Sequence, residues 1–373
     1  MIASFLNNFP QFTCVFFIHY STLFYFSIFK LKMTKDKIKI HIRNNHWKKG
    51  SLPCDSEGEK NSSVPKDLFE SKLNKYPKIK NKVSYLVDWD DDNWISSMKD
   101  ADILLAWDFP TKDLSKIAPN LKWIHIVSAG VNHLYPFNWI KKDLVLTNSS
   151  GIHAKKAGEF GLMSILMLQN HMTKIVTNQR KKEFVTLLSN PIENKTVLAV
   201  GTGSLGGSMI KHISSLGANV IGINRRGRKV EGCSIVLTYD KIDKVLPEAD
   251  FLYLAVPETN ETKGLINKKR LDVLKNSCGI VNIGRQSVMD YEHLQKKLTK
   301  NEISGAILDV FSEEPINRNS KFWDTPNLLI TPHISSDSKG KYIEMVLEKF
   351  FNNLKLFIDK KKLSNQVDPD LGY

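Results

Sequence analysis

Along this chain, short unbroken apolar runs alternate with stretches whose apolar residues recur at helical spacing. Runs at residues 38–42, 83–87, 103–107, 123–127 and 144–147 predict strands buried on both faces, as in a parallel sheet. Helical segments fall between them, for example over 66–75 and 113–118. The Gly-, Ser- and charge-rich stretch 50–63 predicts a loop. From residue 154 to about 172 the spacing predicts one long helix. A second series of strands follows, and a last amphipathic helix is predicted over 343–358. The alternation predicts an α/β fold with two doubly wound parallel-sheet domains linked by the long helix. The last helix is expected to pack back on the first domain, making that domain discontinuous. No internal repeat is visible beyond the strand–helix alternation.

The second series opens on the most specific signal in the chain. The apolar run Thr196–Val200 leads into Gly201-Thr202-Gly203-Ser204-Leu205-Gly206, then a helical stretch, then the apolar run Asn219–Ile223. Strand, glycine turn, helix and strand in this order form a Rossmann-type dinucleotide-binding unit. One glycine makes the sharp turn, one lets backbone N–H groups approach a pyrophosphate, and one lets the helix lie close on its strand. The pyrophosphate then meets the positive end of the helix dipole. The expected organisation is a substrate-binding domain of residues 33–150 plus 336–373 and a dinucleotide-binding domain of residues 151–335.

The end of the second strand bears on the cofactor. NAD-binding versions place an acidic residue there for the ribose 2′-OH. This chain has Asn224-Arg225-Arg226, then Gly227-Arg228, and no carboxylate. Forked guanidinium donors suit a 2′-phosphate, so NADP is expected in preference to NAD. The competing reading is a solvated arginine turn in which Asn224 tolerates NAD.

Composition narrows the class. The chain has 373 residues, 42% hydrophobic and 25% charged, which suits two globular domains of ordinary size. The net charge of +14 is spread as scattered lysines, with no block alternating basic and aromatic residues. It reads as a solvated surface that attracts anionic ligands, and no nucleic-acid partner is expected. The four cysteines, Cys14, Cys54, Cys233 and Cys278, form no CxxC pair; they suggest neither a zinc site nor a disulfide scaffold and fit a reducing cytoplasm. The acidic residues 88–92 lack the glycine and terminal glutamate of a calcium loop and read as a turn and helix start, so no metal is expected.

Residues 14–29 are apolar and aromatic but interrupted by His19, Tyr20, Ser21 and Thr22, and marginally short for a spanning helix. No basic residue precedes them and no A-x-A site follows, a poor secretory signal. Character changes at Met33, where a charged lead-in precedes the first strand. Met33 is therefore expected to be the biological start, with residues 1–32 an upstream extension; a single membrane anchor is the alternative.

Three later segments each end a predicted strand with a reactive side chain. Ile280-Val281-Asn282-Ile283-Gly284 ends in Arg285, Gly305-Ala306-Ile307-Leu308-Asp309-Val310-Phe311 leads into Ser312-Glu313-Glu314-Pro315, and Leu328-Leu329-Ile330-Thr331-Pro332 ends in His333. Ligands bind beyond the carboxyl ends of strands in open parallel sheets, so Arg285, Glu314 and His333 are expected to converge. A proton donor beside a cation stabilises the negative charge that develops on a carbonyl oxygen during hydride transfer. Each residue also has a plain reading: a surface arginine, an acidic turn in which Glu313 competes with Glu314, and a packed turn histidine.

Together these motifs resemble the D-isomer-specific 2-hydroxyacid dehydrogenase family. The resemblance runs in order from Ser128-Ala129-Gly130-Val131-Asn132-His133 through the glycine turn, Pro257-Glu258-Thr259-Asn260-Glu261-Thr262, residues 282–290, residues 308–315 and residues 331–335. The ending, with Val367-Asp368 and Gly372-Tyr373, is similar to a subgroup containing glyoxylate/hydroxypyruvate reductases. It implies that Arg285 binds the substrate carboxylate and polarises the keto oxygen, and that His333 is the general acid for reduction and base for the reverse. It implies that Glu314 orients His333 and favours its protonated form, and that the Ala129, Gly130 and Val131 loop offers N–H donors to the carboxylate. Asp309 would contact the cofactor, and Ser204, Leu205, Val256, Pro257, Thr262 and Ile283 would line its groove. His133 and His153 receive no role. Gln286 and Met289 depart from the family's usual Gly and Val, which leaves the substrate pocket open.

The expected function is a cytoplasmic NAD(P)H-dependent reductase of a small 2-oxoacid such as glyoxylate or hydroxypyruvate, as a homodimer without membrane attachment. The alternative is a corepressor-like dinucleotide sensor on the same fold without turnover.

Overall fold

The computed structural model describes residues 37–46, 63–336 and 341–372. The extension 1–32, the expected start at Met33 and all of the 50–63 loop except Ser63 lie outside the described residues. Two parallel sheets organise the chain. The first contains β1 (Ile38–Asn44), β2 (Val83–Trp89), β3 (Ile103–Ala106), β4 (Trp123–Ile126) and β5 (Val145–Asn148) in the order β2-β1-β3-β4-β5. The second contains β6 (Thr196–Val200), β7 (Asn219–Ile223), β8 (Ile235–Leu237), β9 (Phe251–Leu254), β10 (Gly279–Asn282), β11 (Gly305–Leu308) and β12 (Leu328–Ile330) in the order β12-β11-β10-β9-β6-β7-β8. Every named pairing is parallel, and the central strands β3, β4, β9, β10 and β11 are buried throughout, which is why they read as unbroken apolar runs. The apolar pattern had not singled out β8 or β9; β8 is a three-residue edge strand with no buried position.

Helices cover both faces of each sheet. α1 (Ala154–Gln169) lies on the second sheet, with Ala157, Phe160, Ile165 and Leu168 in one core with Val197, Tyr253 and Val281. Gly158 and Gly161 bring α1 close to α3 (Ser204–Ser214): a Cβ on Gly161 would stand 2.7 Å from Met209 Cγ. The single helix expected over 154–172 is corrected to two. Asn170 Nδ2 donates to Leu166 O at 2.8 Å, His171 turns left-handed at φ +55°, and α2 (Met172–Lys181) starts afresh.

The last helix, α4 (Tyr342–Ile358), buries Val346, Leu347, Phe350, Phe351 and Leu354 against Ile42, Phe69 and Trp123 of the first sheet's core. The tail returns to the same sheet, where Val367 N–H donates to Leu146 O at 2.9 Å. The first domain is therefore built from both ends of the chain. Tyr342 ties α4 to the sheet's carboxyl edge by donating to Val127 O at 3.0 Å.

Candidate active site

The strand order of the second sheet reverses at β6, and the glycine turn follows that strand. Gly201 has φ +94°, its N–H donates to Ile223 O at 2.9 Å, and a Cβ there would stand 2.5 Å from Ala255 O. Gly206 packs beneath it, where a Cβ would strike Gly201 O. At Gly203, by contrast, nothing lies within 4 Å of where a Cβ would be. The turn is filled below and open above. Gly203 is also the N-cap of α3, which has no capping side chain and no acidic residue in its first turn. The N–H groups of the first turn of α3 and its positive end thus meet an open cradle, and these residues fit a dinucleotide's pyrophosphate.

At the end of β7, Asn224 has a different task from the expected cofactor contact. Its Oδ1 accepts from Arg226 N–H (3.2 Å) and Arg228 N–H (3.1 Å), and its Nδ2 donates to Thr202 Oγ1 and Arg228 O, both at 2.9 Å. The amide is consumed in holding the arginine turn against the glycine turn. Arg225 stands 3.7 Å from Glu261 Oε2 on the loop after β9, and Arg226 is exposed. In that loop Pro257 is exposed, whereas Val256, Thr262 and, after β10, Ile283 are buried. Thr262 Oγ1 donates to Pro257 O at 2.6 Å and so shapes the loop. These three were expected to line the groove; their side chains are buried in the described structure. Ser204 is exposed and Leu205 partly buried.

Beyond β10, β11 and β12 the expected trio gathers. His333 Nδ1 donates to Glu314 Oε2 at 2.8 Å, and Glu314 Oε1 accepts from Phe311 N–H at 2.7 Å. Glu314, not Glu313, is the histidine's partner. The hydrogen bond to Glu314 raises the His333 pKa above the ordinary imidazole value, against burial and the nearby Arg285 charge. Burial pushes Glu314 up, but the bonds from His333 and Phe311 outweigh it and hold the carboxylate below its ordinary value. The pair is an imidazole kept ready to carry a proton beside a carboxylate kept ionised. Arg285 is exposed, and Nη1 donates to Gly284 O at 2.7 Å. Across the crevice the Gly130 loop approaches it: a Cβ on Gly130 would stand 3.9 Å from Arg285 Nη2. Ser128 Oγ donates to Gly130 O at 2.6 Å and bends that loop, Ala129 is partly exposed, and Val131 is buried in the first sheet's core.

Behind the trio lies a hydrogen-bonded scaffold that sequence reasoning missed. Asn282 Oδ1 accepts from Gly284 N–H at 2.9 Å, and its Nδ2 donates to Arg285 O and Tyr291 Oη at 3.0 Å each. Tyr291 donates onward to Val310 O at 3.0 Å. The Gln286 side chain accepts from Ser312 N–H, linking the Arg285 loop to the Glu314 loop. The expected cofactor contact of Asp309 is corrected. Asp309 is fully buried; its carboxylate accepts from Thr331 Oγ1 (2.6 Å), Ile334 N–H (2.9 Å) and Ser335 N–H (3.0 Å), and its carbonyl from His333 N–H (3.0 Å). These bonds hold His333 in a left-handed backbone at φ +54°, a strained conformation for a residue with a Cβ. Asn282 ends an apolar run with an amide, a signal that was visible; nothing local marked Tyr291.

The histidines without an assigned role make backbone contacts: His133 Nε2 with Trp107 O at 2.8 Å and His153 Nδ1 with Ser336 O at 2.9 Å. Among the described residues no group of three or more His, Cys, Asp or Glu side chains could hold a metal ion, and no helix is long and apolar enough to cross a membrane.

Comparison with known proteins bears on the family and the fold. Residues 162–335 match the family model described as D-isomer specific 2-hydroxyacid dehydrogenase, NAD binding domain. A glyoxylate reductase from Thermofilum pendens is 32% identical over 246 residues, covering 64% of this chain and 72% of the relative. The fold is shared with an NADPH-dependent glyoxylate/hydroxypyruvate reductase from Sinorhizobium meliloti in complex with NADP and sulfate, at 23% identity and a TM-score of 0.71 over 90% of this chain and 100% of that one. It is shared also with a D-isomer specific 2-hydroxyacid dehydrogenase from Xanthobacter autotrophicus in complex with NADPH and MES, at 22% identity and a TM-score of 0.72 over 91% and 100%. With its glycine cradle, its two parallel sheets and this kinship, the chain belongs to the D-isomer specific 2-hydroxyacid dehydrogenase family and is an NAD(P)-dependent dehydrogenase.

Proposed function

We propose that this enzyme reduces a small 2-oxoacid, glyoxylate or hydroxypyruvate, to the D-2-hydroxyacid, with NADPH as the preferred reductant. The observation that carries the reading is the 2.8 Å His333–Glu314 pair set beside Arg285. The exposed Arg285 guanidinium binds the substrate carboxylate and polarises the keto oxygen, assisted by backbone donors of Ala129, Gly130 and Val131. His333 donates its Nε2 proton to that oxygen as it becomes a hydroxyl, while Nδ1 stays bonded to Glu314. In the reverse direction neutral His333 takes the proton back. NAD(P)H, when bound on the glycine turn, supplies the two electrons and the hydrogen that arrive at the carbonyl carbon. Closure of the first sheet's loops over Arg285 excludes water. A dinucleotide sensor has no use for an imidazole held ready to protonate a ligand.

The NADPH preference rests on Arg225 and Arg226 and on the absence of a carboxylate at the end of β7. The apolar residues Phe184, Val185 and Leu188, on the extended segment after α2, are exposed and suit burial against a second copy; a monomer in sedimentation would remove that reading. The free thiols Cys233 and Cys278 fit a reducing cytoplasm.

The test is direct. Purified protein is mixed with NADPH or NADH and a panel of 2-oxoacids, and cofactor absorbance is followed. Glyoxylate or hydroxypyruvate is expected to oxidise the cofactor, faster with NADPH. Cofactor binding without oxidation across the panel would point to the sensor instead.

A further inference from the structure

α4 belongs to the first sheet's core, yet one of its side chains leaves that core and reaches the other domain's boundary. Lys349 is half-buried, and its Nζ donates to Ser150 O at 2.6 Å. That carbonyl also accepts from Asn365 Nδ2. Among the described residues no carboxylate lies within ion-pair distance of the ammonium, and its neighbour Glu348 is engaged with Lys72. Burial alone lowers its pKa from the ordinary lysine value.

The location is specific. Ser150 and Gly151 form the crossing between the two domains, and Gly151 has φ +97°. A Cβ built on Gly151 would lie 3.5 Å from Lys349 Nζ and 3.9 Å from Ser204 Cβ. Ser204 is the first residue of α3, whose start has neither a side-chain cap nor an acidic residue. A partly desolvated cation and the positive end of a helix therefore lie close to the same glycine, and among the described residues no carboxylate pairs with the cation and none stands in the helix's first turn. A lysine ammonium and a helix N-terminus so placed both favour negative charge between them.

We infer that Lys349 completes the pyrophosphate site from the opposite domain, so that the cofactor's diphosphate is held between the α3 N-terminus and a cation of the substrate-binding domain. The inference rests on cofactor binding at the glycine turn and adds a residue outside that unit. Lys349 is a cofactor-binding residue: it touches the diphosphate and joins cofactor capture to the approach of the two domains. The single bond to Ser150 O leaves two of its three N–H donors for the ligand.

Calorimetric titration of the intact chain and of Lys349→Gln and Lys349→Arg separates the possibilities. The ligands are NADPH, NADH, ADP-ribose, which keeps the diphosphate, and adenosine 2′-monophosphate, which lacks it. Lys349→Gln is expected to weaken NADPH, NADH and ADP-ribose alike by about tenfold, the usual cost of losing a charge-assisted hydrogen bond. It should leave adenosine 2′-monophosphate unaffected, and Lys349→Arg should recover most of the loss. Diphosphate ligands bound by Lys349→Gln within about twofold of the parent would overturn the inference. So would equal weakening of adenosine 2′-monophosphate, which would mark a damaged domain crossing. A parent chain that bound no dinucleotide would sink the glycine-turn site itself, an outcome distinct from either.

Discussion

His333 and Glu314 meet at 2.8 Å, with side chains 37% and 19% exposed; Arg225 and Glu261 stand 3.7 Å apart, 29% and 56% exposed. Both are ion pairs at the mouth of the same parallel sheet, and their surroundings differ completely. Around the first, Asp309, Asn282 and Tyr291 fix the backbone through hydrogen bonds of 2.6 to 3.0 Å. Around the second, the Asn224 side chain organises the turn. The contrast teaches where geometry matters. A proton must pass along one defined line, so that end is over-determined. A phosphate-sized charge can be met by a guanidinium from several directions, so the other end stays open and loosely paired, and an exposed pair of that length contributes little stability.

Three substitutions break or sharpen this contrast. The largest effect is expected from His333→Ala, which should lower kcat for 2-oxoacid reduction by roughly 10²- to 10⁴-fold while NAD(P)H still binds. A variant that retained near-parental kcat would remove the proton-donor role. Glu314→Gln comes next, with a loss of about tenfold or more at neutral pH and a shifted profile. Reduction needs protonated His333, so activity is present below its pKa and lost as pH rises through it. Glu314 raises that pKa, so in Glu314→Gln the falling limb should move to lower pH. An unmoved limb in the kcat/KM profile would show that the carboxylate only packs the loop. Smallest is Arg225→Ala, expected to weaken NADPH about tenfold and NADH hardly at all. Equal loss of both would make the arginine turn structural and erase the distinction between the two ends.

What could be read in advance follows the range of the interactions. Gly201, Gly203 and Gly206 were legible because their roles are local: a positive φ, an open face and a close approach all arise within six residues. The strand-end positions of Arg285, Glu314 and His333 were legible because the carboxyl ends of parallel strands share one edge. Asp309 was misread because three backbone or hydroxyl donors from residues 331–335 close over it, and that fold-back is invisible from the strand pattern. The bridge from Gln286 to Ser312 joins residues 26 apart, and Lys349 meets Ser150 across 199 positions. Such contacts depend on the finished packing. The same holds for Val256, Thr262 and Ile283, whose apolar or hydroxyl side chains fit a groove wall and a buried support equally well.

The return of α4 to the first sheet reverses the order in which a ribosome can finish this molecule. Phe350, Phe351 and Leu354 leave the exit tunnel only after all seven strands of the second sheet. The half encoded later can therefore close its interior while β1 to β5 still wait with one apolar face bare. Nascent chains stalled before α4 thus carry a completed nucleotide module on an unfinished and aggregation-prone partner.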